Sequence, residues 1–187
     1  MALNIKIDFD DCYPIKILNN SFSLSTFTSV LQTGEAVPIY INISDEPHPL
    51  IPNVYNLAFG PFGLNNQIDD KVKLCHQSYS KLFSTIVFTG LSFLERNTGK
   101  FLGIDGSNNA RAYMYYRCIQ NNFEYLNQHL NIYGVNYYLR ILRKLKDEDD
   151  CLTFDEEDII AMPQTINKNG FVKYEKLHNY FIFNSIQ

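Results

Sequence analysis

The residues best suited to chemistry lie in Ile104-Asp-Gly-Ser-Asn-Asn-Ala-Arg-Ala-Tyr113, where a short apolar run meets the start of a helical pattern. A helix N-terminus presents unpaired backbone N–H groups and the positive end of its dipole, so it favours an anion. Gly106 lets the backbone approach closely, Ser107 or Asn108 can cap the helix, and Arg111 adds a planar cationic fork in the first turn. Gly106, Ser107 and Arg111 are therefore candidate anion-binding residues. The same pattern also suits a capped helix whose Arg111 pairs with Asp69, Asp70 or Asp105. Neither G-K-[ST] nor G-x-G-x-x-G is present.

Other constellations fall short of an engine. Asp69, Asp70 and Asp105 are hard-cation ligands by type, but nothing in the sequence brings them together, so no metal site is expected. His48, His76, His129 and His178 sit in unrelated contexts, without H-E-x-x-H or H-x-H spacing. Cys75 and His76 adjoin, yet neighbours on extended backbone point apart. No G-x-S-x-G elbow occurs. No catalytic residue and no cofactor are expected.

Surface chemistry offers more. Tyr113, Tyr115 and Tyr116 cluster beside Arg111 and Arg117, and Tyr137-Tyr138 precedes Arg140, Arg143, Lys144 and Lys146. Tyrosines interleaved with basic residues can stack bases along an RNA backbone, and they are equally common at protein interfaces. Next comes a run of eight carboxylates in twelve residues: Asp147, Glu148, Asp149, Asp150, Asp155, Glu156, Glu157 and Asp158. The net charge of −4 hides this asymmetry: outside that run, 12 acids face 16 bases and the chain is at +4. Such an acidic stretch imitates the charge density of phosphates.

These residues need elements to position them. Ser21–Leu31, Ala36–Ile43 and Val54–Phe59 are rich in β-branched and aromatic residues and read as strands, with Val37, Ile39, Ile41 and Ile43 on one face. Pro47, Pro49 and Pro52 make 44–53 a loop. From Tyr79 the apolar residues Leu82, Phe83, Ile86, Val87, Gly90, Leu91 and Leu94 recur at helical spacing up to Thr98-Gly99. Phe101–Ile104 reads as an interior strand. Ala112, Tyr115, Ile119, Phe123, Leu126 and Leu130 form the stripe of a second helix, and a strand with Tyr133, Val135 and Tyr137 in alternation follows. Thr153-Phe-Asp-Glu156 has capping-box spacing, which predicts a short helix ending at Pro163. Phe171–Ile186 reads as a last strand. The pattern predicts an α+β domain, β-β-β-α-β-α-β followed by a short helix and a C-terminal strand, with two main helices on a largely antiparallel sheet. Residues 1–187 form one domain in this reading, its core at about 20–146 and the acidic segment and last strand at 147–187.

Tyr55-Asn-Leu-Ala-Phe-Gly60, Ile68-Asp-Asp70, Lys81-Leu-Phe-Ser-Thr-Ile86 and Gly106-Ser-Asn-Asn-Ala-Arg111 together resemble an uncharacterised family of small bacterial proteins. Pro61, Ser78, Asn108 and Tyr113 depart from its pattern. The resemblance implies a soluble bacterial context and no particular activity. With no basic start before a long apolar run, and four scattered cysteines, a cytoplasmic location is expected. The expected function is non-catalytic: binding and regulation of a protein partner, a nucleic-acid-processing enzyme, in its most concrete form as an anti-CRISPR-like inhibitor of an RNA-guided nuclease. RNA contact and no membrane contact accompany that reading. Its alternative is a nucleic-acid or nucleotide binder, antitoxin-like or a phosphoryl-chemistry enzyme, using Gly106, Ser107 and Arg111.

Overall fold

The computed structural model describes residues 4–63, 67–70, 72–106, 108–139, 159–170 and 177–186. In chain order these form β1 (Lys16–Ile17), β2 (Leu24–Val30), β3 (Ala36–Pro47), β4 (Val54–Gly60), α1 (Tyr79–Arg96), β5 (Phe101–Asp105), α2 (Asn109–Asn121), α3 (Phe123–Leu126), β6 (Leu130–Leu139), β7 (Ile159–Thr165) and β8 (Tyr180–Ser185). The eight strands make one sheet in the order β1-β2-β3-β4-β5-β8-β6-β7. Every pairing is antiparallel except β4–β5, where Val54 to Asn56 run parallel to Phe101 to Gly103. The class is α+β, with a mostly antiparallel sheet.

Strand periodicity sorts side chains to two faces. Ile39, Ile41 and Ile43 of β3, Leu57 of β4, Leu102 of β5, Leu130 and Ile132 of β6 and Phe181 of β8 join one core with Leu82, Phe83, Ile86 and Leu94 of α1 and Ala112, Tyr115 and Ile119 of α2. On the other face, Val54, Val135, Tyr180 and Ile182 make a smaller core with Ile51. That core is covered in part by the β3–β4 loop, where His48 stacks on Tyr137 with its Nε2 3.3 Å from the hydroxyl.

Helix α1 starts at Ser78, whose hydroxyl accepts the Lys81 N–H, and ends at Asn97 before Gly99 in the left-handed region (φ 82°). The chain before β1 lies across the helices as an extended strap with Ile5 and Ile7 buried. Its backbone donors find side chains instead of a ladder: Ile7 N–H to Asn122 Oδ1 (2.7 Å), Asp8 N–H to Ser84 Oγ (2.9 Å) and Tyr13 N–H to Thr85 Oγ1 (2.9 Å). Satisfying buried N–H groups this way avoids a penalty of roughly 1–3 kcal/mol each.

Four expectations need correction. The second helix is not continuous: it breaks at Asn122, whose amide is committed to Ile7, the Ile5 carbonyl and the Cys118 carbonyl. The helix expected to end at Pro163 is strand β7 where it is described, because Ile159–Thr165 pairs residue by residue with Leu139–Tyr133. A capping box is a local preference, and the ladder overrides it. Pro163 is tolerated there because β7 is the outermost strand. Strand β3 runs on through the expected loop to Pro47, with a bulge after Ile43. The C-terminal strand, set apart from the core by sequence, lies inside the sheet between β5 and β6. Thr153–Asp158 and residues 171–176 lie outside the described residues.

Two glycines admit large side chains onto the sheet. A Cβ on Gly134 would overlap the buried His178 ring, and one on Gly103 would overlap Tyr180. Gly134→Ala is expected to cost about 1–3 kcal/mol through overpacking and to lower the melting temperature by roughly 2–10 °C, read by calorimetry.

Candidate functional site: a groove at the ends of the parallel strands

Parallel β4 and β5 both point their carboxyl ends to the same side, where they finish at Gly60 and Asp105. The chain leaves β4 through a turn in which Asp69 N–H donates to the Pro61 carbonyl (2.8 Å), and the Gly60 Cα lies so close to the Asp69 backbone that no side chain fits. It then runs beside β2, with Gln32 N–H on the Cys75 carbonyl and Gln77 N–H on the Val30 carbonyl (2.8 Å each), before entering α1. Leaving β5, it turns straight into α2. Between these two exits lies a groove of about 390 Å³, whose lining includes Asn56, Asp69, Asp70, Lys73, Asp105, Arg111 and Tyr115. Crevices at the carboxyl ends of parallel strands are the habitual ligand sites of such sheets.

The residues singled out from sequence divide here. Asn108 caps α2 by accepting the Arg111 N–H (3.0 Å). Arg111 donates from one guanidinium nitrogen to the Asp70 carbonyl (2.7 Å), with the Asp70 carboxylate 3.9 Å from the other, so the partner found is one of the acids the sequence allowed. Gly106 is buried, and a Cβ there would stand 2.7 Å from Ala112 Cα, which makes helix–strand packing the reason for this glycine. Ser107 lies outside the described residues. The Asp69-Asp70 pair and Asp105, thirty-five residues further on, line the one groove. Among the described residues no group of three or more His, Cys, Asp or Glu is arranged to hold a metal ion.

The residue that sequence reasoning underrated is Tyr115. It sits on the buried stripe of α2, is 6% exposed, and forms edge contacts with Phe83 and Phe181. Its hydroxyl makes no hydrogen bond to a described residue and faces the groove among Arg111, Asp70 and Asp105. Burial pushes its pKa well above the usual tyrosine value, Arg111 pulls it down, and the two carboxylates push it up further. It therefore stays a neutral phenol, able to donate one hydrogen bond and accept others. A helical stripe of Ala112, Tyr115 and Ile119 signals burial alike for a phenyl ring and a phenol, so the sequence holds no signal for the hydroxyl's role.

Of the surface residues, Tyr113 is 45% exposed and Arg117 is exposed. Tyr116 is corrected: it is buried, and its hydroxyl donates to the Gly170 carbonyl, so it is not free for a partner. Arg140, Arg143, Lys144 and the eight carboxylates from Asp147 to Asp158 lie outside the described residues. No helix among those described is long and apolar enough to cross a membrane.

Compared with known proteins, the chain matches the model of a family of unknown function, DUF6934, over residues 10–154. No curated protein and no solved structure matches it.

His76 on the groove wall is 6% exposed, with Nδ1 2.8 Å from the Ser29 hydroxyl, and His178 is equally buried under β6. Desolvation lowers the pKa of both, and of half-buried His48. The unfolded chain takes up these protons near pH 6.5 while the folded chain resists them. The contribution of these histidines to stability is accordingly complete above about pH 7.5 and is lost as the pH drops through and below about 6.5. Urea midpoints at pH 7.5 and 5.5 should show the loss, and His76→Gln should shrink the difference between them.

Proposed function

The chain belongs to the DUF6934 family of unknown function, and on that premise we propose that it is a non-catalytic binding protein whose groove receives a small polar ligand. The observation that carries this reading is the Tyr115 hydroxyl: 94% of the residue is buried, the hydroxyl has no partner among the described residues, and it faces a groove bearing both a guanidinium and carboxylates. A hydroxyl whose ring is locked by packing offers a ligand a hydrogen bond at a fixed position, which lowers the ordering cost of binding. Arg111 retains donors beyond those given to Asp70, since a guanidinium carries five N–H groups. Among the described residues, three acids and two bases line the groove, which favours a ligand with both charges over a bare phosphate. The free thiols of Cys12, Cys75 and Cys118 suit a reducing, cytoplasmic setting.

Titration of the protein's own amide NMR signals with acetate, methylammonium, glycine, imidazole and inorganic phosphate tests this on the wild type and on Tyr115→Phe, which keeps the ring and its packing. At least one probe should bind at millimolar concentration and weaken about tenfold or more in the variant, the cost of one lost hydrogen bond to a charged group. No binding to the wild type, or equal binding to both, overturns the reading.

A second reading, regulation of a nucleic-acid-processing protein such as an RNA-guided nuclease, is favoured by a different observation. Leu139 pairs with Ile159 in the antiparallel β6–β7 pair, and β7 is the outermost strand of the sheet; in sequence the basic and acidic residues of 140–158 stand between these two strands. On these two strands Tyr137, Tyr138, Ile160 and Met162 expose 40–48% of their surface. Exposed aromatics next to opposite charges are what an interface needs. Changing Asp147, Glu148, Asp149 and Asp150 together to Asn or Gln should weaken capture of a basic nucleic-acid enzyme and flatten its salt dependence, measured by interferometry from 50 to 300 mM salt (about these values, spanning the Debye range). Unaltered affinity and slope reject it.

A further inference from the structure

Behind the groove lies a second, smaller space of about 80 Å³, lined wholly by apolar surface between α1, α2 and the sheet. Leu57, Phe83, Ile104 and Tyr115 belong to the walls of both. Tyr115 thus stands at the junction, its ring against Phe83 and its hydroxyl on the groove side. Well-packed interiors carry few voids larger than a water, and an apolar one is dry and takes apolar guests. A cavity of 150 Å³ admits benzene, so one of about half that volume suits about three or four carbon atoms.

We propose that the groove's ligand is a small zwitterionic amphiphile, an aliphatic α-amino acid with a side chain of three or four carbons that enters this chamber. This inference rests on the groove reading above and names its ligand class. The head has a place for each charge: the carboxylate meets Arg111 and Lys73, and the ammonium meets Asp70 and Asp105, with Tyr115 hydrogen-bonded between them. The tail leaves water past the Tyr115 ring. Glycine keeps the head and lacks the tail, pentanoate keeps the tail without the ammonium, and butylamine keeps the tail without the carboxylate.

Calorimetric titration with L-norvaline, L-leucine, glycine, pentanoate and butylamine is the experiment. Norvaline or leucine should bind about fifty-fold more tightly than glycine, the equivalent of three buried methylenes, and at least tenfold more tightly than pentanoate or butylamine. Cys118→Leu, which fills the chamber from α2, should erase the advantage of norvaline while leaving glycine unchanged. Val87→Leu fills it from α1 and serves if Cys118→Leu does not fold. Glycine binding as tightly as norvaline, and lost in Tyr115→Phe, overturns the tail and leaves the groove reading standing. Pentanoate or butylamine matching norvaline overturns the zwitterionic head. No binding by any of the five overturns the inference, while the NMR probes judge the groove independently.

Discussion

The structure depends on one parallel contact in an otherwise antiparallel sheet. Two strands that run the same way cannot be joined by a tight turn, so the chain must cross from the end of β4 to the start of β5, and α1 is that crossing. The helix in turn has to bury its apolar stripe on the sheet, which explains why Leu82, Phe83, Ile86 and Leu94 share a core with Leu57 and Leu102. Both strands then release the chain on one side. The space between the two exits is unavoidable, and the Arg111–Asp70 tie spans it by holding the start of α2 to the turn that follows β4. The groove is thus a by-product of topology that particular residues then furnish with polar groups.

The same residues serve stability and site at once. Tyr115 packs its ring into the core and leaves only its hydroxyl in the groove, so the wall is as rigid as the interior behind it. His76 works similarly from the opposite wall, held by Ser29 within β2. Burial keeps both groups neutral, which costs nothing at neutral pH and places hydrogen-bonding atoms at fixed positions. The strap ending near Tyr13 adds order from outside, tying α1 and the α2–α3 break together through Ser84, Thr85 and Asn122. None of these contacts depends on long charged side chains, whose pairing would weaken with salt.

What was legible beforehand follows from periodicity. The alternation around Ile39, Ile41 and Ile43 and the stripe from Leu82 to Leu94 each report a single, strong environment, and both elements appear at those positions. The strap was invisible because its hydrogen bonds go to side chains more than seventy residues away, which leave no local pattern. Strand β7 was misread because capping-box spacing precedes residues whose partner strand lies across a nineteen-residue connection. At the site, Arg111 and the acids were recognised by type, while their meeting depended on the parallel crossover. Gly106 and Tyr116 were chemically suggestive, yet one yields to Ala112 and the other to the Gly170 carbonyl. Residue type proposes a role, and only the neighbours decide it.

Strand β8 sits between β5 and β6 although it follows every other strand in the chain. Its two neighbours therefore wait as unpaired edges while the preceding residues emerge from the ribosome, at about 5–20 residues per second. Neither core can close until Phe181 and Ile182 arrive, one on each face of the sheet. The arrival of β8, and not the appearance of the first helices, is the step that closes the sheet and both of its cores.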